Sequence, residues 1–357
     1  MSILLCRFKV CDAFDVPKSY AKGCFRIDAL GEALCILRLP AVHPFGPTLH
    51  EGEVVVLVES SLGGVDPSHD LLGACDPSRN PRAQRWHSQE INQMVFVWHH
   101  DDNHTSQAEL DARAQQSGDS RDNSPIPSDL SACAATPQKP QWEVPLIPGI
   151  DGWSYHGRVT HEIACHIQEI PENGADVAHL SYIHGGFLLS WMHFIRHEWE
   201  AVWSTQSDPV GHVAKLVLNQ QVSVFGWKIP FTSLDSKIDQ VGPALVQLIF
   251  PTPFGRVAVI ETVTPILHTL QRAQNVLWAE RTVPRWMAKI FLMGLVVQFE
   301  RDIPIWNSKH FLRRPLILKE DGPILKYRRW MRQFYSNREY QAEMEKHAET
   351  AMKCANE

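Results

Sequence analysis

The hydrophobic residues of the first hundred positions form short strand-like runs separated by turn-rich sequence. Residues 33–39 and 53–59 are rich in aliphatic and β-branched side chains, which is typical of buried strands. Residues 86–99 alternate in a way that indicates a second strand pair, whereas residues 63–83 show no periodicity. The pattern predicts a small all-β region over residues 1–100.

From residue 142 onward the pattern changes to longer strands and one long helix. Alternation over residues 159–167 predicts a strand of about ten residues that Pro171 ends. Strand-like runs separated by proline and glycine then occupy residues 197–204, 212–224, 244–250, 256–263 and 273–280. A helix with an apolar stripe is predicted over residues 284–302. Successive strands with short turns favour an antiparallel sheet, so we expect an α+β domain over residues 142–335.

Two stretches do not fit either domain. Residues 101–141 are rich in Ser, Asp, Gln and Pro and have almost no large apolar side chains. Such a segment cannot bury enough surface to offset the entropy of ordering it, so a disordered linker is expected. Residues 336–357 are highly charged and are predicted to form a helical tail.

Composition narrows the class of protein. A chain of 357 residues with 44% hydrophobic residues can bury a sizeable core and hold two domains. The net charge of -6 does not suggest a nucleic-acid partner. The eight cysteines contain no C-x-x-C, which favours a reducing compartment. No apolar run reaches about 18 residues, so we expect a soluble or peripheral chain without a membrane span.

The chemistry-bearing stretch is residues 171–186, PENGADVAHLSYIHGG. Asn173 is expected to cap a short helix in which Asp176 and His179 share one face. His184 comes five residues after His179, so the helix has to end near residue 183 for both imidazoles to reach one ion. The glycine pair at 185–186 offers that end.

Asp302 is the expected third ligand. It comes shortly before Pro304, which predicts that its carboxylate lies at a helix break. Two histidines and one carboxylate on one face of a metal are typical of non-haem Fe(II) oxygenases. From spacing alone, two alternatives stay open: Asp176 merely completes a capping box, and the histidines are ordinary hydrogen-bonded core or surface residues.

The sequence resembles a known family at these positions. The stretches WHSQEINQMVFVWHH, WEVPLIPGI, YHGRVTHEIACHIQEIPENGADVAHLSYIHG, ERDIPIWNSKHF and DGPILKYRRWMRQFY are similar to the Rieske-type non-haem iron oxygenases, in particular the cholesterol 7-desaturase group. The resemblance covers residues 86–335 apart from the polar insertion. It implies that His179, His184 and Asp302 bind mononuclear Fe(II). It further implies that Asp176 links this iron to a Rieske cluster on a neighbouring subunit and that Asn173 lies near the iron.

The resemblance also implies a fold, a reaction and partners. The catalytic domain would be an antiparallel sheet wrapped on the long helix, preceded by an all-β Rieske-like domain. The reaction would convert cholesterol to 7-dehydrocholesterol with O2, using electrons from NAD(P)H through a reductase and a [2Fe-2S] cluster. Trimers and membrane association are typical of the family. Residues considered for the wall of a sterol cavity, with ordinary core as the alternative, are Phe187, Trp191, Phe194, Phe225, Trp227, Phe250 and Phe254.

One feature departs from the family. A Rieske cluster needs a C-x-H and a C-x-x-H motif, and the chain has no C-x-H. We therefore expect residues 1–100 to be a residual Rieske-like domain without cluster ligands, and turnover to depend on intact homologous subunits. A non-catalytic sterol- or lipid-binding protein and a pseudoenzyme subunit of an intact paralogue remain the alternatives.

Overall fold

The computed structural model describes residues 6–18, 24–38, 54–62, 85–99, 140–186, 194–205, 211–230, 232–309, 318 and 321–335. The chain forms two compact units, which meet in sequence between Glu143 and Val144. Almost all of the predicted linker at 101–141 and the whole predicted tail at 336–357 lie outside the described residues. So does most of the segment 40–83. No helix in the described ranges is long and apolar enough to cross a membrane.

The N-terminal unit is all β. Its strands are β1 (Cys6–Asp12), β2 (Phe25–Ala29), β3 (Glu32–Arg38), β4 (Val54–Val58), β5 (Arg85–Trp86), β6 (Ser88–Ile91) and β7 (Met94–His99). They form one sheet in the order β2-β3-β4-β5 and another in the order β1-β7-β6. The strands predicted at 33–39, 53–59 and 86–99 correspond to β3, to β4 and to β5–β7. All five side chains of β4 are buried, as its unbroken aliphatic sequence requires.

The C-terminal unit contains an eight-stranded antiparallel sheet. Its strands are β8 (Ser154–Ile163), β9 (Ile195–Thr205), β10 (Val213–Val224), β11 (Trp227–Lys228), β12 (Leu234–Val241), β13 (Leu245–Thr252), β14 (Gly255–Leu267) and β15 (Leu270–Ala279). The order is β11-β10-β12-β13-β14-β15-β8, with β9 paired to β10. Five of these strands match predicted runs. The strand β12 was not predicted, because its sequence LDSKIDQV alternates around charged residues.

In the described part of the chain, the helices that accompany this sheet are α1 (Glu169–Glu172), α2 (Val177–Ile183), α3 (Arg285–Ser308) and α4 (Gly322–Met331). The long helix α3 contacts β8 and β15 and packs against a buried cluster that includes Val257, Val259 and Leu277. At Gly157 in β8, a Cβ atom would lie 2.9 Å from Leu292 on α3, and φ is +135°. A sheet-rich unit on one long helix confirms the α+β fold class.

Two local predictions were wrong. The strand predicted at 159–167 ends at Ile163, and the chain turns where the amide of Cys165 donates to the carbonyl of Ile163. Cys165 and Ile167 stay buried after the turn. The apolar residues at every second position therefore continue past the end of the strand, which made the strand look longer in the sequence. Pro304 lies inside α3 and does not end it. Proline removes only its own N–H bond to the carbonyl of Glu300, an exposed residue, so water can satisfy that carbonyl.

Candidate metal centre and its cavity

The structure brings His179, His184 and Asp302 to one point. One ligand atom from each side chain lies within 4.8 Å of the other two. Nε2 of His184 is 3.1 Å from Oδ2 of Asp302, and both residues are buried. The two imidazoles come from α2 and its C-terminal end, and the carboxylate comes from α3. Asp302 therefore reaches the site from a continuous helix and not from a break.

The short helix α2 explains how two histidines five residues apart can face one point. Asp176 caps the helix, with its Oδ1 accepting from the amide of His179 at 3.3 Å. The helix ends at Ile183, and His184 leaves the helical path at φ -100° and ψ 2°. A Cβ atom at Gly185 would lie 2.5 Å from the carbonyl oxygen of Ser181, so only glycine fits this turn. Asn173, the predicted cap, lies before the helix and lines the cavity.

Hydrogen bonds orient both imidazole rings. Nδ1 of His184 is 2.8 Å from Oε1 of Gln298, which lies one turn before Asp302 on α3. Arg301 donates to the same Oε1 at 3.1 Å, and since arginine only donates, this atom is the amide oxygen. Nδ1 of His184 therefore carries the proton, and Nε2 offers a lone pair. The ring of His179 is oriented in the same way, because its Nδ1 lies against the carbonyl oxygen of Asp176.

This donor set fits a divalent metal. Two imidazoles and one carboxylate converge, and the Nε2 of His184 lies 3.1 Å from Oδ2 of Asp302. Oδ1 of Asp302 is buried with no hydrogen-bond partner in the described part of the chain. A cation bound between the three side chains would satisfy all of these acceptors, and partners on the far side of each ring are the usual support of metal-binding histidines.

The three side chains line a cavity of about 500 Å³ inside the C-terminal unit. Most of the wall is apolar and comes from α3 and the central strands, including Trp199, Leu218, Ile238, Phe250, Phe291 and Leu295. Gln240 holds the turn before the site in place, accepting from Trp203 Nε1 at 3.0 Å while its own amide lies 3.5 Å from the carbonyl of Pro171. The metal site thus opens onto a mostly apolar chamber.

The aromatic residues predicted for the cavity wall are found in different places. Phe250 lines the cavity. Phe225 and Trp227 do not; they are 75% and 79% exposed, because Phe225 occupies the turn between β10 and β11 with φ +50°. Phe194 is 37% exposed and stacks on Phe225, and Phe254 is 48% exposed. Phe187 and Trp191 lie outside the described residues.

Sequence reasoning missed several polar residues of this cavity, among them Gln298, Glu261 and Asn275. The spacing of four residues between Gln298 and Asp302 could have indicated Gln298, since it predicts a shared helix face. Glu261 interrupts the otherwise uncharged strand run VAVIETV. Burial, together with the negative charge of Asp302, raises the pKa of Glu261 to about 7. Nothing in the sequence pattern distinguishes Asn275.

A charged cluster lies beside the site. Lys309, just after α3, pairs with Glu169 at 2.6 Å and Glu172 at 3.0 Å. Arg328 on α4 donates to both carboxylate oxygens of Glu172, at 2.8 and 3.0 Å. Glu172 lies seven residues before His179, and Lys309 lies seven residues after Asp302. The cluster therefore joins the two segments that carry the metal-site side chains.

Comparison with known sequence families shows to which family the chain belongs. The family described as the 3-ketosteroid 9alpha-hydroxylase C-terminal domain matches residues 134–335, more than half of the sequence. This chain is a Rieske-type oxygenase family member. Among its relatives, the cholesterol 7-desaturase of Caenorhabditis elegans is 39% identical over 214 residues, 56% of this chain and 50% of that protein. The Drosophila melanogaster cholesterol 7-desaturase nvd is 33% identical over 273 residues, 72% of this chain and 54% of that protein.

The chain of this oxygenase family member spans about half the length of these curated relatives. Solved structures show the same fold at low sequence identity. Pseudomonas putida CBB5 NdmB matches with a TM-score of 0.53 and 15% identity, over 91% of this chain and 89% of its own. Dicamba monooxygenase bound to dicamba matches with a TM-score of 0.51 and 10% identity, over 92% and 96%.

Proposed function

We propose that this chain provides the sterol cavity and the mononuclear iron site of an oxygenase that converts cholesterol to 7-dehydrocholesterol. The observation that carries the proposal is that His179, His184 and Asp302 lie in the wall of a largely apolar cavity of about 500 Å³. Cavities of this size bury most of the surface of a small organic ligand. The names of the relatives supply the sterol and the reaction.

Iron(II) is the metal that we assign to these three side chains. Two imidazoles and one carboxylate occupy one face of an ion and leave other positions open. When bound, such an ion supplies redox chemistry with dioxygen. The work of the chain is to hold it: Gln298 and the carbonyl of Asp176 keep each Nδ1 protonated, so that each Nε2 lone pair points to the ion.

The apolar wall of the cavity binds the sterol. Side chains such as Phe250, Phe291 and Leu295 exclude water and hold the ring system with its C7–C8 edge toward the metal site. The reaction removes one hydrogen from each of C7 and C8. These two hydrogens, the hydride of NAD(P)H and one proton reduce O2 to two molecules of water.

The electron route is part of the proposal. A relative from Rhodococcus rhodochrous, 26% identical, is named an oxygenase component, which supports a separate reductase. We place the [2Fe-2S] cluster that donates electrons to this site on a homologous subunit in a shared oligomer, as the resemblance to the Rieske-type oxygenases implies. Asp176 is partly exposed beside His179 and is proposed to face that subunit.

The test combines this chain with an intact cholesterol 7-desaturase whose own iron-binding carboxylate is replaced by alanine. The mixture receives Fe(II), cholesterol, NAD(P)H and a reductase, and 7-dehydrocholesterol is measured. We expect product from the mixture, and none from either protein alone or from the mixture with Asp302→Ala. Iron and cholesterol bound without product would contradict the desaturase and support the non-catalytic sterol-binding alternative.

A further inference from the structure

Two polar side chains lie opposite each other in the part of the cavity wall that the sheet contributes. Glu261 on β14 lies directly opposite Asn275 on β15 in the antiparallel register, and both line the cavity. Directly opposite residues project from the same face of a sheet. On that face, the neighbours two residues away along β14 are Val259 and Val263, and Val246 lies opposite Glu261 on β13. The other polar side chains of the sheet that line the cavity, Gln220, Gln240, Thr262 and Gln274, each make a hydrogen bond within the protein.

Neither side chain has a hydrogen-bond partner among the described residues. Asn275 is 1% exposed, and its Oδ1 is buried without a partner in that part of the chain. No hydrogen bond or ion pair joins the carboxylate of Glu261 to another of the residues that the structure describes. Leaving such groups unpaired in an apolar interior costs about 1 to 3 kcal/mol each. Buried polar groups are otherwise almost always paired, so an unpaired pair facing a cavity indicates a ligand that carries a matching polar group.

We propose that Glu261 and Asn275 bind the hydroxyl group of the sterol and so orient its ring system. This inference rests on the proposed function, which supplies the sterol. Cholesterol has a single polar group, and the cavity wall contributed by β14 and β15 offers one pair of facing polar side chains without a hydrogen-bond partner among the described residues to match it. A hydroxyl group both donates and accepts; the amide of Asn275 offers both roles, and the carboxyl of Glu261 accepts or, when protonated, donates.

The location of the pair agrees with the reaction. Glu261 and Asn275 line the same cavity as His179, His184 and Asp302. The pair and the metal site therefore share one chamber. In cholesterol, only a few bonds separate the carbon that bears the hydroxyl from C7, so a hydroxyl-binding pair close to the metal site suits oxidation at C7 and C8.

The test measures equilibrium binding of two sterols to the full chain: cholesterol, and cholest-5-ene, which lacks the hydroxyl. We expect the unmodified chain to bind cholesterol about tenfold or more tightly than cholest-5-ene, as for a buried hydrogen-bonded group. Glu261→Leu should abolish this preference by weakening only cholesterol binding, and Asn275→Leu should reduce it. Glu261→Gln keeps a hydrogen-bonding group of the same shape and should keep part of the preference.

The control is Glu200→Leu, the same substitution at an exposed position on β9. It should leave both affinities unchanged. Retained binding of cholest-5-ene shows that a variant is folded. Equal affinity of the unmodified chain for both sterols, or an equal loss of both in Glu261→Leu and Glu261→Gln, would overturn the inference and leave the proposed sterol cavity standing. Binding of neither sterol by the unmodified chain would overturn the proposed function and the inference together.

Discussion

Two glutamates of the same unit, the buried Glu172 and the cavity-lining Glu261, have opposite surroundings. Burial acts to raise the pKa of Glu172, but the hydrogen bonds and charges of Arg328 and Lys309 outweigh it and lower that pKa. Glu261 has no such partner among the described residues, and its pKa is raised to about 7. A paired carboxylate joins helices, whereas an unpaired one is available to a ligand. The difference separates a glutamate that stabilises the fold, Glu172, from one that lines the cavity and can bind a ligand, Glu261.

The largest expected effect comes from removing the partner of Glu172. Arg328→Met leaves a buried carboxylate with only Lys309, which places Glu172 in a situation closer to that of Glu261. We expect the free energy of unfolding to fall by about 3 kcal/mol or more, as when one partner of a buried ion pair is lost. Urea unfolding would measure it. Arg329→Met, at the exposed neighbouring position, is the control, and an equal effect of both substitutions would contradict the role of Glu172.

The second prediction concerns pH and the metal-free chain. The folded-state pKa of Glu261, about 7, is above the ordinary value of 4.5. Between these values the folded chain binds more protons than the unfolded chain, so stability falls as pH rises from about 4.5 to 7. The difference corresponds to roughly 3 kcal/mol. Unfolding measured across this range should show a decline that Glu261→Gln lacks.

Glu172 should show the opposite behaviour. Its pKa is lowered in the folded chain, so the stability it contributes is present above its ordinary value of 4.5 and is lost as pH falls below it. Glu172→Gln should therefore remove a pH dependence on the acidic side only. Identical pH profiles for Glu172→Gln and Glu261→Gln would remove the distinction between the two carboxylates.

The third prediction extends the comparison to the metal site, where Gln298 supports His184. Gln298→Leu leaves Nδ1 of His184 without its acceptor, and we expect the affinity for Fe(II) to fall about 10- to 100-fold. Competition with a chelator under anaerobic conditions would measure it. Gln298→Glu keeps an acceptor oxygen and should retain the affinity. Equal affinities of the Leu and Glu variants would show that Gln298 does not orient the ring.

The smallest expected effect is at Asp176. Asp176→Ala removes the helix cap of α2 and should cost about 1 kcal/mol of stability, whereas Asp176→Asn keeps a capping oxygen and should cost only a few tenths. Urea unfolding would separate the two. If Asp176 also faces an electron donor, as we propose, Asp176→Asn should lower product formation in the mixed assay while leaving stability nearly unchanged.

The sequence predicted those parts of the fold that follow from local pattern. The strands β3, β4, β9, β10 and β13–β15 overlap the strand-like runs predicted from the sequence, and α3 has an apolar stripe. The polar strand β12 was missed because its burial comes from its neighbours and not from its own composition. The strand before the site was placed too late, because Cys165 and Ile167 continue the alternation through a turn.

At the site, the spacing of residues in the sequence identified the two histidines and the carboxylate, but not the residues that surround and orient them. His184 could be placed near His179 because the glycines after it predicted a helix end. The partners of these residues could not be found in this way, because Gln298 is 114 residues from His184 and Glu261 acts from the sheet. Such contacts depend on how the strands pair, which no local pattern determines.

The long sequence separation within the metal site has a consequence for folding. All seven strands from β9 to β15 lie in sequence between His184 and Gln298. Contacts between residues so far apart form slowly, because the intervening chain must be ordered before they become favourable. The iron-binding arrangement can therefore assemble only when this sheet is complete. Tight metal binding would then report that folding of the C-terminal unit has finished, and a chain arrested at any strand in between would bind metal weakly.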